Sequence, residues 1–235
     1  MRLPALARTT HKWLALIIAI QALFWMLSGL YMSVIHIDII HGDRLVKSDK
    51  AQPIALAGLL EPSHLAHLVP GLQSARLETQ LGRPVYVVEA ASGKALFDAK
   101  TGARLSPLDE TGARARAKAL FAERGGVVSA ELLTGVPPIE LQTRALPLWR
   151  VEFEGAWRPT FYISPFTGEL VTRRHDLWRA YDFVWMLHIM DYEKRTDVNN
   201  VLIRVATAMA LVTSLTGAWL LLYSFRRRRR PQKAV

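Results

Sequence analysis

Two long uncharged runs constrain this chain before anything else does. From Trp13 to Ile35, WLALIIAIQALFWMLSGLYMSVI holds no charged residue. At an α-helical rise of about 1.5 Å per residue it covers a hydrocarbon core of about 30 Å. From Val201 to Phe225, VLIRVATAMALVTSLTGAWLLLYSF matches it, with one charge, Arg204, within a turn of its start, where a long side chain can snorkel to the interface. The expectation is two transmembrane helices, 13–35 and 201–225, with residues 36–200 between them forming a separate domain. The first run exceeds the roughly 7–15 apolar residues of a signal peptide, and SVIHIDIIHGD offers no small-x-small cleavage site, so it reads as an uncleaved anchor.

Arg2, Arg8 and Lys12 precede the first run, and Arg226 to Arg230 with Lys233 follow the second. A basic excess marks the cytoplasmic side, which makes 1–12 a cytoplasmic N-terminus, 226–235 a basic cytoplasmic tail and 36–200 external. In a bacterium that places the chain in the inner membrane with a periplasmic domain. The net charge of +10 does not indicate nucleic acid, because the RRRRR run abuts a membrane helix without an aromatic or Gly-rich recognition pattern; its role is topology and attraction to anionic lipid. With no cysteine in the sequence, disulfides, thiol catalysis, Cys-ligated iron–sulfur or zinc centres and covalent CxxCH haem attachment are excluded.

The intervening domain repeats itself. PVYVVEAASGKALFDAKTGARLSPLDE at Pro84–Glu110 is echoed by PLWRVEFEGAWRPTFYISPFTGELVTRRHD at Pro147–Asp176. Each copy reads as an alternating strand, a short turn, a second strand ending in a Thr-Gly turn (Thr101-Gly102, Thr167-Gly168) and a third short strand. A helical pattern precedes each, roughly Ile54–Leu68 and Glu110–Arg124. In the second, Asp109 can cap a helix whose Ala113, Ala117, Leu120 and Phe121 share one face. The fold class is therefore α+β, two helix-plus-antiparallel-sheet repeats (51–110 and 111–176) after a linker at 36–50, with an interfacial amphipathic helix at 177–192 leading to the second span.

The helix, strand, "hFDaxTGxxh" turn and strand resemble the PepSY domain, and the placement between two spans resembles the PepSY-associated transmembrane family of bacterial inner-membrane proteins. The likeness extends to HKW before the first run, LSGLY within it, WRAYDFVWMLHIMDYEKR after the repeats and SLTGAWLLL in the second span. The resemblance implies a component of an electron-transfer or iron (siderophore) reduction and uptake system. Larger relatives implicated in ferric-siderophore reduction carry four spans and haem; this chain carries two.

Paired histidines are what a cysteine-free membrane protein offers a b-type haem. His11 and His36 lie close to seven helical turns apart, facing the same way at opposite membrane surfaces, so they cannot share an iron. The second span has no histidine. Two arrangements remain: His36 or His41 meeting His188 at the outer surface, or His11 or His36 pairing across a homodimer or with a partner membrane subunit. Arg204 suits a haem propionate or Asp191. The plainer alternative makes His11 an interfacial anchor beside Lys12 and Trp13, and leaves His36, His41 and His188 hydrogen-bonded at the headgroup level. Trp178, Tyr181, Phe183, Trp185 and Tyr192 read as a helix lying flat on the outer leaflet, or, with Trp185 and His188, as the lining of a site. His64 and His67 read as a solvated face. No nucleophile–base pair, phosphate loop or catalytic carboxylate pair is present in the sequence pattern. Ser28-Gly29 and Thr216-Gly217 are small pairs that permit close helix contact, and Gln21 is expected to hydrogen-bond across that contact or to a partner. The rival function is a non-enzymatic module that binds a peptide or peptidase along a sheet edge, or a structural subunit of a membrane complex.

Overall fold

The computed structural model describes residues 3–47 and 53–226, so the tail beyond Arg226 lies outside the described residues. In chain order the elements are α1 (Leu3–Val34), α2 (Ile37–His41), α3 (Pro62–Leu68), β1 (Leu72–Gln80), β2 (Arg83–Ala90), β3 (Gly93–Asp98), α4 (Glu110–Leu120), β4 (Val127–Leu133), β5 (Leu148–Phe153), β6 (Thr160–Ile163), β7 (Leu170–Arg174), α5 (Asp176–Ile189) and α6 (Val201–Arg226). They divide into a helical unit, up to His36 and from Tyr181 onward, and an α/β unit, Ile37–Ala180.

In the helical unit, Ala5–Val34 and Val201–Leu222 are long and apolar enough to cross a membrane, with mean hydropathies of 2.0 and 1.8. Only 11% and 6% of these stretches are buried in the protein, so their apolar surface is outward, unlike a core helix of a soluble domain. α1 and α6 pack against each other. Gly217 sits against His11, where an added Cβ would stand 2.9 Å from the imidazole Cε1. Thr216-Gly217 thus makes a close helix contact. Ser28-Gly29 does something else: Ser28 is buried against α5, and nothing lies within 4 Å of a Cβ at Gly29.

The Gly217–His11 contact fixes a register. Going back from Gly217 to the start of α6 covers about 24 Å, and the same distance along α1 from His11 reaches about residue 27. α6 therefore stops short of the end of α1, and α5 takes over. Tyr181 packs beside Tyr31, with ring centroids 6.2 Å apart. Farther along α5, the Leu187 and His188 carbonyls accept hydrogen bonds from Gln21 Nε2 (3.1 Å) and Trp25 Nε1 (2.8 Å). From Tyr181 onward the segment read as lying flat on the leaflet runs in the opposite sense along α1, because Gln21, Trp25 and Ser28 present donors and acceptors to the carbonyls and imidazole at its C-terminal end. The turn to α6 is organised by Asp191, whose carboxylate accepts from the backbone N–H groups of Glu193, Lys194, Thr196 and Asp197. These bonds lower its pKa to about 2.

The α/β unit holds two antiparallel sheets, ordered β1-β2-β3 and β4-β5-β6-β7. Leu65 of α3 covers the first with Tyr86, Val88, Ala95 and Phe97. Ala113, Ala117 and Leu120 of α4 cover the second with Trp149, Val151, Phe153, Phe161 and Ile163. Alternation does the sorting: Leu148 and Tyr162 point to the other face and pack on Leu141. Asp109 caps α4 through Gly112 N–H at 2.7 Å. Gly102 and Gly168 both close their Thr-Gly turns with left-handed φ, +71° and +68°.

Four boundaries differ from the sequence expectation. α3 starts at Pro62, not Ile54, because Gly58 takes a left-handed φ and Leu60 N–H bonds to Ala99 O. α4 ends at Leu120 because Phe121 bridges to Val46. Residues 37–47 are no mere linker, since Leu45 is buried in the core of the second repeat. Each sheet gains a leading edge strand, β1 or β4, and in the first repeat the expected third strand shrinks to a bridge between Phe97 and Arg104. The repeats dock through the second Thr-Gly turn: Gln80 Nε2 donates to Thr167 O (2.8 Å) and Arg76 pairs with Glu169, while Arg116 Nε holds the turn to its own repeat through Gly168 O (2.9 Å).

Candidate functional site

The helical unit anchors two imidazoles through Nδ1. His11 Nδ1 lies 3.0 Å from Thr213 O and 3.1 Å from Thr216 Oγ1. A carbonyl only accepts, so Nδ1 carries a proton, and in the neutral ring Nε2 carries the lone pair. His188 Nδ1 lies 2.7 Å from Ser28 Oγ, whose own proton goes to Phe24 O at 2.5 Å. With the hydroxyl proton on Phe24 O the Ser28 oxygen accepts from His188 Nδ1, and the neutral ring then keeps its lone pair on Nε2. Trp185 stacks on the His188 ring, centroids 6.3 Å apart and planes 14° from parallel. This state, one nitrogen donating and the other free to ligate, is the one a metal-ligating histidine adopts.

His36 follows the end of α1, and about 12 Å of helix separates its position from Ser28. The structure thus brings His188 to Ser28 and does not bring it to His36. His11 and Ser28 are about 25 Å apart along α1. His41 belongs to the α/β unit, as do His64 and His67, exposed on α3. Arg204 is exposed in the first turn of α6. Asp191 is committed to its turn, while Asp182, buried, takes the ion pair with Arg195 at 2.6 Å. Among the described residues, no group of three or more His, Asp or Glu is placed to hold a metal ion.

Two groups to which the sequence assigns no role lie in the α/β unit. His175 is buried in the α/β unit and donates from Nε2 to Ile40 O at 3.1 Å; burial pushes its pKa down. Glu140 receives Arg179 Nε at 2.7 Å and the Tyr162 hydroxyl. Burial pushes its carboxyl up, but the bonds from Arg179 and Tyr162 outweigh that and hold it below the ordinary glutamate range, while burial and the Glu140 charge push Tyr162 well up. Neither had a signal in one sequence, because their partners lie on distant segments.

No protein-family model, curated protein or solved structure matches this chain.

Proposed function

We propose that this chain is a bacterial inner-membrane protein with a periplasmic PepSY-type domain, serving as a non-catalytic membrane component of an electron-transfer or iron (siderophore) reduction system. The two apolar helices, the basic residues at both ends and the tandem α+β repeat support the topology. The observation that carries the redox reading is the pair of imidazoles anchored through Nδ1, His188 on Ser28 and His11 on Thr213.

Each of these imidazoles could offer a b-type haem one nitrogen ligand. His188 and His11 stand at well-separated levels along α1, so a second axial imidazole would come from a second copy or a partner subunit. A haem held there would supply one-electron chemistry. What the chain itself does is orient His188: Ser28 sets the tautomer and Trp185 the ring plane. The test is haem content of the detergent-extracted protein by pyridine haemochrome assay, with His11, His36, His41 and His188 each replaced by alanine. The expected result is a Soret band lost in H188A or H11A and kept in H36A and H41A. A wild-type protein from haem-replete cells with no Soret band sinks the redox reading.

A second reading, partner binding by strand addition, is favoured by β4, an edge strand that exposes Val128 and Leu132. Under it, V128K with L132K abolishes function and H188A leaves it intact.

A further inference from the structure

The α/β unit contains a cleft of about 280 Å³, just under the size of typical small-molecule pockets. Its polar lining is His41, Arg144, Thr172, Arg173 and Arg174, with Trp178 beside them, and among the described residues no carboxylate lines it. Three guanidinium groups bring positive charge to one concavity, and Asp43 pairs with one of them, Arg173.

Backbone carbonyls, a hydroxyl, an aromatic face and, for Arg173, the Asp43 carboxylate hold the arginines in place. Arg174 is buried. Its Nε donates to Glu140 O (2.9 Å), its Nη1 to Thr172 Oγ1 (2.5 Å) and Arg173 O (2.8 Å), and its guanidinium lies 3.7 Å from the Trp178 ring centroid. Thr172 Oγ1, having accepted from Arg174, keeps its own proton to donate. Arg173 Nε bonds His41 O at 2.8 Å and its Nη2 reaches Asp43. Arg144 is the least committed, with one long bond of 3.4 Å to Leu141 O. The backbone that delivers it is strained: Gln142, two residues earlier, has φ 54° and ψ −117°, a region that costs a non-glycine residue about 1–3 kcal/mol.

We infer that this cleft binds a phosphate-class oxyanion, which Arg144 and Thr172 contact directly while Arg174, fixed on Trp178, adds a guanidinium beside them. Arginine forks suit the geometry of a tetrahedral oxyanion, and pre-positioned donors lower the ordering cost of binding. The same chemistry is offered by free phosphate and by an anionic lipid headgroup.

The test uses the full chain in phosphatidylcholine nanodiscs, titrated calorimetrically with inorganic phosphate at constant ionic strength. Alongside it, hydrogen exchange of residues 141–144 and 172–174 is compared in discs with and without one-third phosphatidylglycerol. Saturable phosphate binding, weakened about tenfold or more in R144A and severalfold in R144K, which keeps the charge and loses the fork, identifies free phosphate. No phosphate heat, but exchange protection in phosphatidylglycerol that R144A and R144K abolish, identifies a lipid headgroup. R114A, on α4 outside the cleft, leaves either signal unchanged. Absence of both signals overturns the inference, as does equal weakening by R114A and R144A.

Discussion

Gly217 and His11 are in such close contact that a methyl group at 217 would stand 2.9 Å from the imidazole Cε1. The ring cannot swing aside without giving up Thr213 O and Thr216 Oγ1. This decides the sign of G217A. Alanine gains roughly 1 kcal/mol of helix propensity over glycine, but overpacking costs about 1–3 kcal/mol and the lost hydrogen bond about 1 kcal/mol more. G217A is expected to lower the unfolding temperature in detergent, followed by circular dichroism. In an H11A background it is expected to raise it. A shift of the same sign in both backgrounds contradicts the contact.

The offset between α6 and α1 predicts how deeply each residue sits. If the start of α6 marks the outer edge of the hydrocarbon core, the last turns of α1, from about residue 27 to Val34, rise above it. The chain has no cysteine, so single replacements report without background. V34C in spheroplasts should react with a membrane-impermeant maleimide, whereas L16C should not. Protection of V34C equal to that of L16C would mean that both runs are buried over their whole length.

Glu140 should make the α/β unit acid-sensitive. E140Q removes the charge that Arg179 and Tyr162 bond to, a loss of about 2–3 kcal/mol for a mostly buried pair. The folded-state pKa lies below the ordinary 4.5, so the stabilisation is complete above pH 4.5 and fades as pH falls through the folded value. Urea unfolding at pH 7 should show the full gap between wild type and E140Q, and the gap should narrow steadily below pH 4.5. A gap independent of pH would assign the loss to packing.

What the sequence made legible follows from local periodicity. The apolar runs, the helical face of Ala113, Ala117 and Leu120, and the two Thr-Gly turns are each written in a short window, and each stands where expected. β1 and β4 were not legible because edge strands expose much of their length; LQSARLETQ shows little alternation, and its partner β2 carries the buried residues. The state of the histidines was illegible for another reason. His188 takes its tautomer from Ser28 and His11 from Thr213, contacts between residues 160 and 202 positions apart. Counting histidines identifies candidates, and only the helix register shows which acceptor each ring meets.

The second Thr-Gly turn supplies a prediction about the repeats themselves. Gly168 has φ +68°, and a Cβ there would stand 2.4 Å from Gln80 Oε1, the side chain that reaches from β1 to Thr167 O. Gly102 has nearly the same φ, +71°, but the atoms a Cβ would meet are the methyl ends of Leu60 and Leu68, at 2.8 and 3.2 Å. Both alanine variants carry the strain of a left-handed backbone, about 1 kcal/mol. Only G168A also breaks a buried hydrogen bond between repeats, for about 1–3 kcal/mol more. G168A should therefore cost more than G102A in urea unfolding. Q80A should remove part of the difference, since with the amide gone the extra methyl has room. If G102A and G168A cost the same and Q80A changes neither, the repeats owe nothing to this turn, and their docking rests on the Leu108 contacts with Pro165 O and Trp149 Nε1.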